Sequence, residues 1–141
     1  MEFGSPPWLA AVVAALGAQP GLPEALRGLA ATVALVVEPG PAFPRPLLVW
    51  GRHAGGRVVE WRALHDEDEL LELEPAYVIR APYPIWRDLW RGEDPVRAAL
   101  TGRVKVRGDL EALIRKVHHR PLAEAVRAAV PTEFPGEEGT P

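Results

Sequence analysis

The stretch Asp94-Pro95-Val96-Arg97-Ala98-Ala99-Leu100-Thr101-Gly102-Arg103-Val104-Lys105-Val106-Arg107-Gly108-Asp109-Leu110 decides how this chain reads. Asp94 before Pro95 is a helix start. A carboxylate there accepts from the unpaired N–H groups of the first turn, and proline lacks the N–H that would be left over. The short helix Val96–Leu100 ends at Gly102. Arg103–Arg107 then alternates, with Val104 and Val106 pointing one way and Arg103, Lys105 and Arg107 the other, which predicts a half-buried strand. Gly108 breaks the strand and Asp109 caps the next helix. In that helix Leu110, Leu113, Ile114 and Val117 recur at i, i+3, i+4 and i+7, an amphipathic stripe.

Upstream, Ser5 caps a helix with Pro6 and Pro7 in its first turn. Trp8, Leu9, Val12, Val13 and Leu16 share one face, and Gly17 ends it. Pro23–Gly28 is a short helical piece at best. Thr32–Val37 is β-branched and apolar on both faces, as a buried strand requires. Glu38–Pro46 holds four prolines and reads as a loop. Leu47–Trp50 and Arg57–Trp61 flank His53-Ala54-Gly55-Gly56, a hairpin signal, although both faces of the second strand are mixed. Tyr77–Arg80 is strand-like. Pro84 opens a helix with Ile85, Trp86, Leu89 and Trp90 on one side, closed by Gly92. Downstream, Pro121 separates Leu122–Val130 from the preceding helix, and the chain from Pro131 is proline, glycine and glutamate, a frayed tail. No internal repeat is visible. The expected architecture is α+β, a mixed sheet with helices packed on one side. It forms one domain over 1–130, with a disordered tail over 131–141.

The chain has 141 residues, about one domain's length. It has no cysteine, which removes disulfides, thiol catalysis and cysteine metal sites. Hydrophobic residues make up 48% and charged residues 25%, too apolar for a disordered chain. The net charge of −3 argues against non-specific nucleic-acid binding, which needs a broad basic surface. No apolar run is long enough to span a membrane. The first segment lacks the positive region of a signal peptide, so a cytoplasmic protein is expected. With 14 arginines against 2 lysines, 16 prolines and no asparagine, the inventory suits a heat-adapted protein, though coding bias produces the same pattern.

From Arg91 to Leu110 the pattern resembles the sterol-carrier, or non-specific lipid-transfer, domain family. The signature is a short helix after Asp94-Pro95, then Gly102-basic-aliphatic-basic-aliphatic, then Gly108-Asp109 and an amphipathic helix. Leu26–Val37 is similar to the family's first strand with its lead-in. Tyr77–Trp90 is similar to its strand and tryptophan-bearing helix, so the likeness covers Leu22–Val130. Leu100-Thr101 stands where members often carry Met-Ser, and the Pro39–Pro46 loop is longer and stiffer than usual. The resemblance implies a curved five-stranded sheet covered by helices, with an apolar tunnel between them. It implies binding of fatty acyl chains or other lipids without catalysis or cofactor. The implied tunnel lining is Ile79, Trp86, Leu89, Trp90, Leu100, Val104, Val106, Leu110, Leu113, Ile114 and Val117. Arg103, Lys105 and Arg107 would meet headgroups or an anionic membrane surface, worth only ~3 kcal/mol for three charges. Burying about a dozen methylenes yields ~10 kcal/mol gross, against about 8 kcal/mol net for micromolar binding.

Each of these residues also has a plain reading. The Leu110–Val117 stripe, Val104 and Val106 equally fill an ordinary core, as do Trp86 and Trp90, whose indole N–H groups are otherwise suited to a headgroup. Arg103, Lys105 and Arg107 equally make a solvated strand face. His118 and His119 point about 100° apart in a helix and have no ligand at i+4. The acidic run Asp66–Glu74 lacks the glycine of a calcium loop and reads as a solvated helix start. Gly51, Gly55 and Gly56 make no phosphate-binding fingerprint, and the lone Ser5 sits in no nucleophile motif. The leading reading is a non-enzymatic carrier of a hydrophobic small molecule. Second is a protein-interaction or assembly module of lipid or isoprenoid-quinone metabolism. Last is an enzyme using Asp, Glu and His acid–base chemistry.

Overall fold

The computed structural model describes residues 1–115 and 120–136. Its elements run α1 (Pro6–Gly17), α2 (Leu22–Leu26), β1 (Thr32–Glu38), β2 (Leu47–Ala54), β3 (Arg57–Leu64), α3 (Glu67–Leu73), β4 (Tyr77–Pro82), α4 (Tyr83–Trp90), α5 (Pro95–Leu100), β5 (Lys105–Arg107), α6 (Leu110–Ile114) and α7 (Arg120–Ala129). The five strands form one sheet in the order β3-β2-β1-β4-β5. All neighbours are antiparallel except β1 and β4, whose parallel pairing sets Leu35 beside Ile79. The α+β class and the five-stranded mixed sheet are therefore observed.

Local chemistry explains most of the boundaries. Ser5 Oγ accepts from Trp8 N–H, Asp66 from Glu69 N–H, Asp94 from Val96 N–H and Asp109 from Ala112 N–H, each at the start of a helix. The β2–β3 turn is Gly55-Gly56, both at positive φ, as a two-residue hairpin turn requires. Gly108 has φ +119°, and a Cβ there would lie 2.5 Å from the Ala76 carbonyl oxygen. Only glycine lets the chain pass so close to β4 between β5 and α6. The strand expected over Arg103–Arg107 is shorter than its alternation suggests. Arg103 N–H and Val104 N–H both donate to Ala98 O and so close α5, leaving only Lys105–Arg107 for the ladder.

The strands alternate between two faces. On one, Ala34, Val36, Leu48, Trp50, Leu64 and Val78 pack against Leu70 of α3, with Leu73 beside them. The expectation that all helices lie on one side is corrected here: α3 carries its own apolar stripe and covers this face. On the other face, Val37 joins Phe3, Trp8, Leu9, Tyr83, Val130 and Phe134, and Ala81 packs with Ala98 and Val104. Trp61 packs here too, while Leu64 faces α3, so β3 buries a side chain on each face.

The frayed tail expected from Pro131 is not seen over residues 131–136. Phe134 is buried and stacks on Phe3 at 5.7 Å, and Tyr83 Oη donates to Pro135 O. Phe3 N–H donates to Glu133 O and Glu133 N–H to Met1 O, a one-residue parallel bridge. One aromatic ring in a glutamate- and proline-rich stretch outweighs its composition. Residues 137–141 lie outside the described ones.

Candidate functional site

The second face of the sheet is not filled. Leu35, at the centre of the middle strand, is 36% exposed, although Val36 beside it is 1% exposed. It borders a cavity of about 580 Å³, within the ~300–1,000 Å³ of small-molecule sites. Sheet residues Leu35, Ile79 and Val106 form the floor. Trp86, Leu89 and Trp90 of α4, then Leu110, Leu113 and Ile114 of α6, form walls. Val104, Val96, Ala99, Leu122 and Ala123 complete the apolar lining, with Glu93, Asp94, Glu124 and Arg127 beside them.

Nine of the residues named for a tunnel therefore line one cavity: Ile79, Trp86, Leu89, Trp90, Val104, Val106, Leu110, Leu113 and Ile114. Leu100 does not. It is 68% exposed, because it follows the fully buried Ala98 by two positions, about 200° around α5. Val117, His118 and His119 lie outside the described residues. Trp86 Nε1 donates to Val36 O at 2.9 Å, so its N–H fastens α4 to β1 and is not offered to a headgroup. Trp90 packs at a tilt against Trp8, with ring centroids 5.1 Å apart.

The basic row divides. Val106 faces the cavity beside Ile79, so Lys105 and Arg107 project from the opposite face, where Arg107 pairs across from Val78 and Lys105 from Arg80. They flank a groove between α3 and β5 that also holds Glu67, Glu74 and Arg80. Arg103 is ion-paired to Glu93. The three cations thus do not surround the cavity as a set.

A second apolar lobe, about 520 Å³, was not foreseen. It lies under α1, lined by Val12, Val13 and Leu16, by Val33, Val37 and Val49 of the sheet, and by Trp61. The two lobes share Leu35, Trp86, Leu89, Trp90, Leu122, Ala123 and Arg127. Thr32–Val37 is apolar on both faces, so its sequence cannot distinguish a side chain packed on helix from one facing a hollow. Arg127 carried a legible signal: it stands four residues after Ala123 and three before Val130, on the apolar side of α7.

Three titrating groups on the far face depart from their ordinary values. Arg80 donates two hydrogen bonds to Glu67, at 2.7 and 2.9 Å, which lowers the Glu67 pKa below the usual carboxylate range and raises that of Arg80. Glu69 is lowered by the backbone N–H and ring of His65. Among the described residues, no three His, Cys, Asp or Glu side chains are grouped to hold a metal ion, and no helix is long and apolar enough to cross a membrane.

No family model matches the chain, and no curated protein matches it. Solved structures do. One is a sterol carrier protein 2, with TM-score 0.70 and 21% identity over 89% of this chain and 98% of that one. Another is a conserved hypothetical protein from Thermus thermophilus, described as possibly a sterol carrier protein, with TM-score 0.70 and 21% identity over 92% and 91%. A third is a UbiJ-SCP2 ubiquinone synthesis protein, with TM-score 0.55 and 16% identity over 88% and 96%. With its sheet order, its helices and its hollow sheet face, the chain has a sterol carrier protein 2-like fold.

Proposed function

We propose that the chain is a non-enzymatic, cytoplasmic carrier. It holds a hydrophobic small molecule, a fatty acyl chain or similar lipid, between the sheet and α1, α4, α6 and α7. The observation that carries this reading is Leu35. An aliphatic side chain at the centre of a sheet is normally covered, yet here its neighbours leave open space that runs into two apolar lobes. Apolar walls left uncovered forgo about 25 cal/mol per Å², which an apolar occupant recovers. The likeness to sterol carrier protein 2 supports the same reading. Membrane contact, if Lys105 and Arg107 supply it, is transient, because two or three charges hold a protein only weakly to an anionic surface.

Native mass spectrometry of the purified chain tests it. The expected result is a co-purifying lipid, and a thermal shift on adding fatty acid or acyl-CoA to delipidated protein. A clean apo mass with no shift from either ligand overturns it. Replacing Ile114, a half-buried residue on the α6 wall, by Trp is expected to abolish uptake while the cooperative melt survives. Collapse of the fold instead identifies Ile114 as ordinary core.

A second reading, an interaction or assembly module, draws on the likeness to a ubiquinone synthesis protein. It is the one favoured by a clean apo mass.

A further inference from the structure

The two lobes share a boundary of seven lining residues, called the neck below, and one side chain there is foreign to an apolar wall. Of the seven residues that line both lobes, six are apolar and the seventh is Arg127. It is half-buried, and its Nη1 donates to Trp90 O at the end of α4, at 3.2 Å. A guanidinium carries five N–H donors and no acceptor, so that one bond leaves most of its capacity free. Among the described residues, no carboxylate forms an ion pair with it. Of the acids near the neck, Glu93 pairs with Arg103, Asp94 accepts from the N–H groups of Val96 and Arg97, and Glu124, exposed one turn back on α7, forms no ion pair with Arg127. The backbone makes room for the guanidinium. Gly92 has φ +106°, and a Cβ there would stand 3.0 Å from Arg127 Nη1.

We infer that Arg127 selects anionic amphipaths: the carboxylate of a single-chain fatty acid meets the guanidinium at the neck while its tail fills the lobe under α1. This inference rests on the carrier reading and names the class of ligand. A cation partly withdrawn from water beside apolar walls is costly until an anion joins it. Carboxylate is the planar, two-oxygen partner that a guanidinium fits. The direction of the tail follows from polarity. Glu93, Asp94 and Glu124 border the lobe beside β5, whereas the lobe under α1 is lined by no carboxylate and, besides Arg127, only Arg52 and His53 among its lining residues are ionisable.

The test compares myristate with myristyl alcohol, equal in chain length and differing in charge. Binding is read by tryptophan fluorescence, since Trp86 and Trp90 line both lobes. Wild type is expected to bind the acid about ten- to a hundredfold more tightly than the alcohol, the range of a charge-assisted hydrogen bond. Arg127→Gln keeps a donor for Trp90 O. It is expected to erase that ratio while leaving the alcohol's affinity within about threefold. Arg127→Lys, which keeps the charge but not the fork, is expected to retain part of the preference. Equal binding of acid and alcohol by wild type, or a preserved acid preference in Arg127→Gln, overturns the assignment and leaves the carrier reading standing. If wild type binds neither, both readings fall.

Discussion

The two faces of the sheet are built from the same strands and end differently. On the α3 face, alternate residues of β1 and β2 close into a solid layer with Leu48 only 2% exposed, and the open groove beyond them, between α3 and β5, is bordered by charged side chains. On the other face Leu35 of β1 and Ile79 of β4 look into open space. Apolar character does not distinguish them. The helices do: α3 lies flat on its face with Leu70 buried in it, while α1 and α4 meet through the rings of Trp8 and Trp90, and α7 reaches them through the Arg127 hydrogen bond to Trp90 O. The lesson is that large rings at the edge of a layer prop it open as readily as they fill it.

Truncating one residue on each face sets the contrast against measurement. Leu48→Ala is expected to cost about 3–5 kcal/mol in urea denaturation, as a fully buried leucine does. Leu35→Ala is expected to cost about 1–2 kcal/mol, because part of its side chain already faces open space. Equal losses would mean that both faces are packed alike. Between those two in size is Gly108→Ala, which places a methyl group against Ala76 O and the Tyr77 ring at positive φ. A loss of about 1–3 kcal/mol, with lipid uptake impaired because β5 and α6 form one side of the hollow, is the expected outcome. A neutral substitution there would show that β5 does not depend on this close approach.

The smallest effect belongs to the solid face. Glu67→Gln removes the bidentate tie from α3 to Arg80, and the loss at neutral pH is expected to be about 1 kcal/mol or less, since Glu67 is half exposed. The Glu67 pKa is lowered in the folded state. Its contribution is therefore present above the ordinary carboxylate pKa of 4.5 and is lost as pH falls through the folded value. Wild type and variant are expected to converge in acid and separate above it. A gap that persists in strong acid would assign the loss to packing.

Much of this was legible beforehand. Ser5, Asp94 and Asp109 act through backbone N–H groups within three residues, so their roles are written locally. Gly55-Gly56 likewise carries its hairpin in its own φ preference. Nine side chains of the cavity were legible from the family likeness of Arg91–Leu110 and Tyr77–Trp90 together with the periodicity of two flanking helices. What escaped depends on distant partners. Arg103 and Val104 look like strand until Ala98 O takes their N–H groups. Phe134 looks like tail until Phe3 arrives from the other end of the chain. The lobe under α1 was invisible because its walls come from seven elements, none unusual alone.

The backbone bridge between Glu2 and Glu133 has a mechanical consequence. It sits just before α1 and just after α7, the two helices that roof the hollow, and Trp8 Nε1 bonds Thr132 Oγ1 across the same seam. The roof is thus laced along one margin. Parting α1 from α7 to admit a molecule would break that lacing, whereas moving the two together leaves it intact.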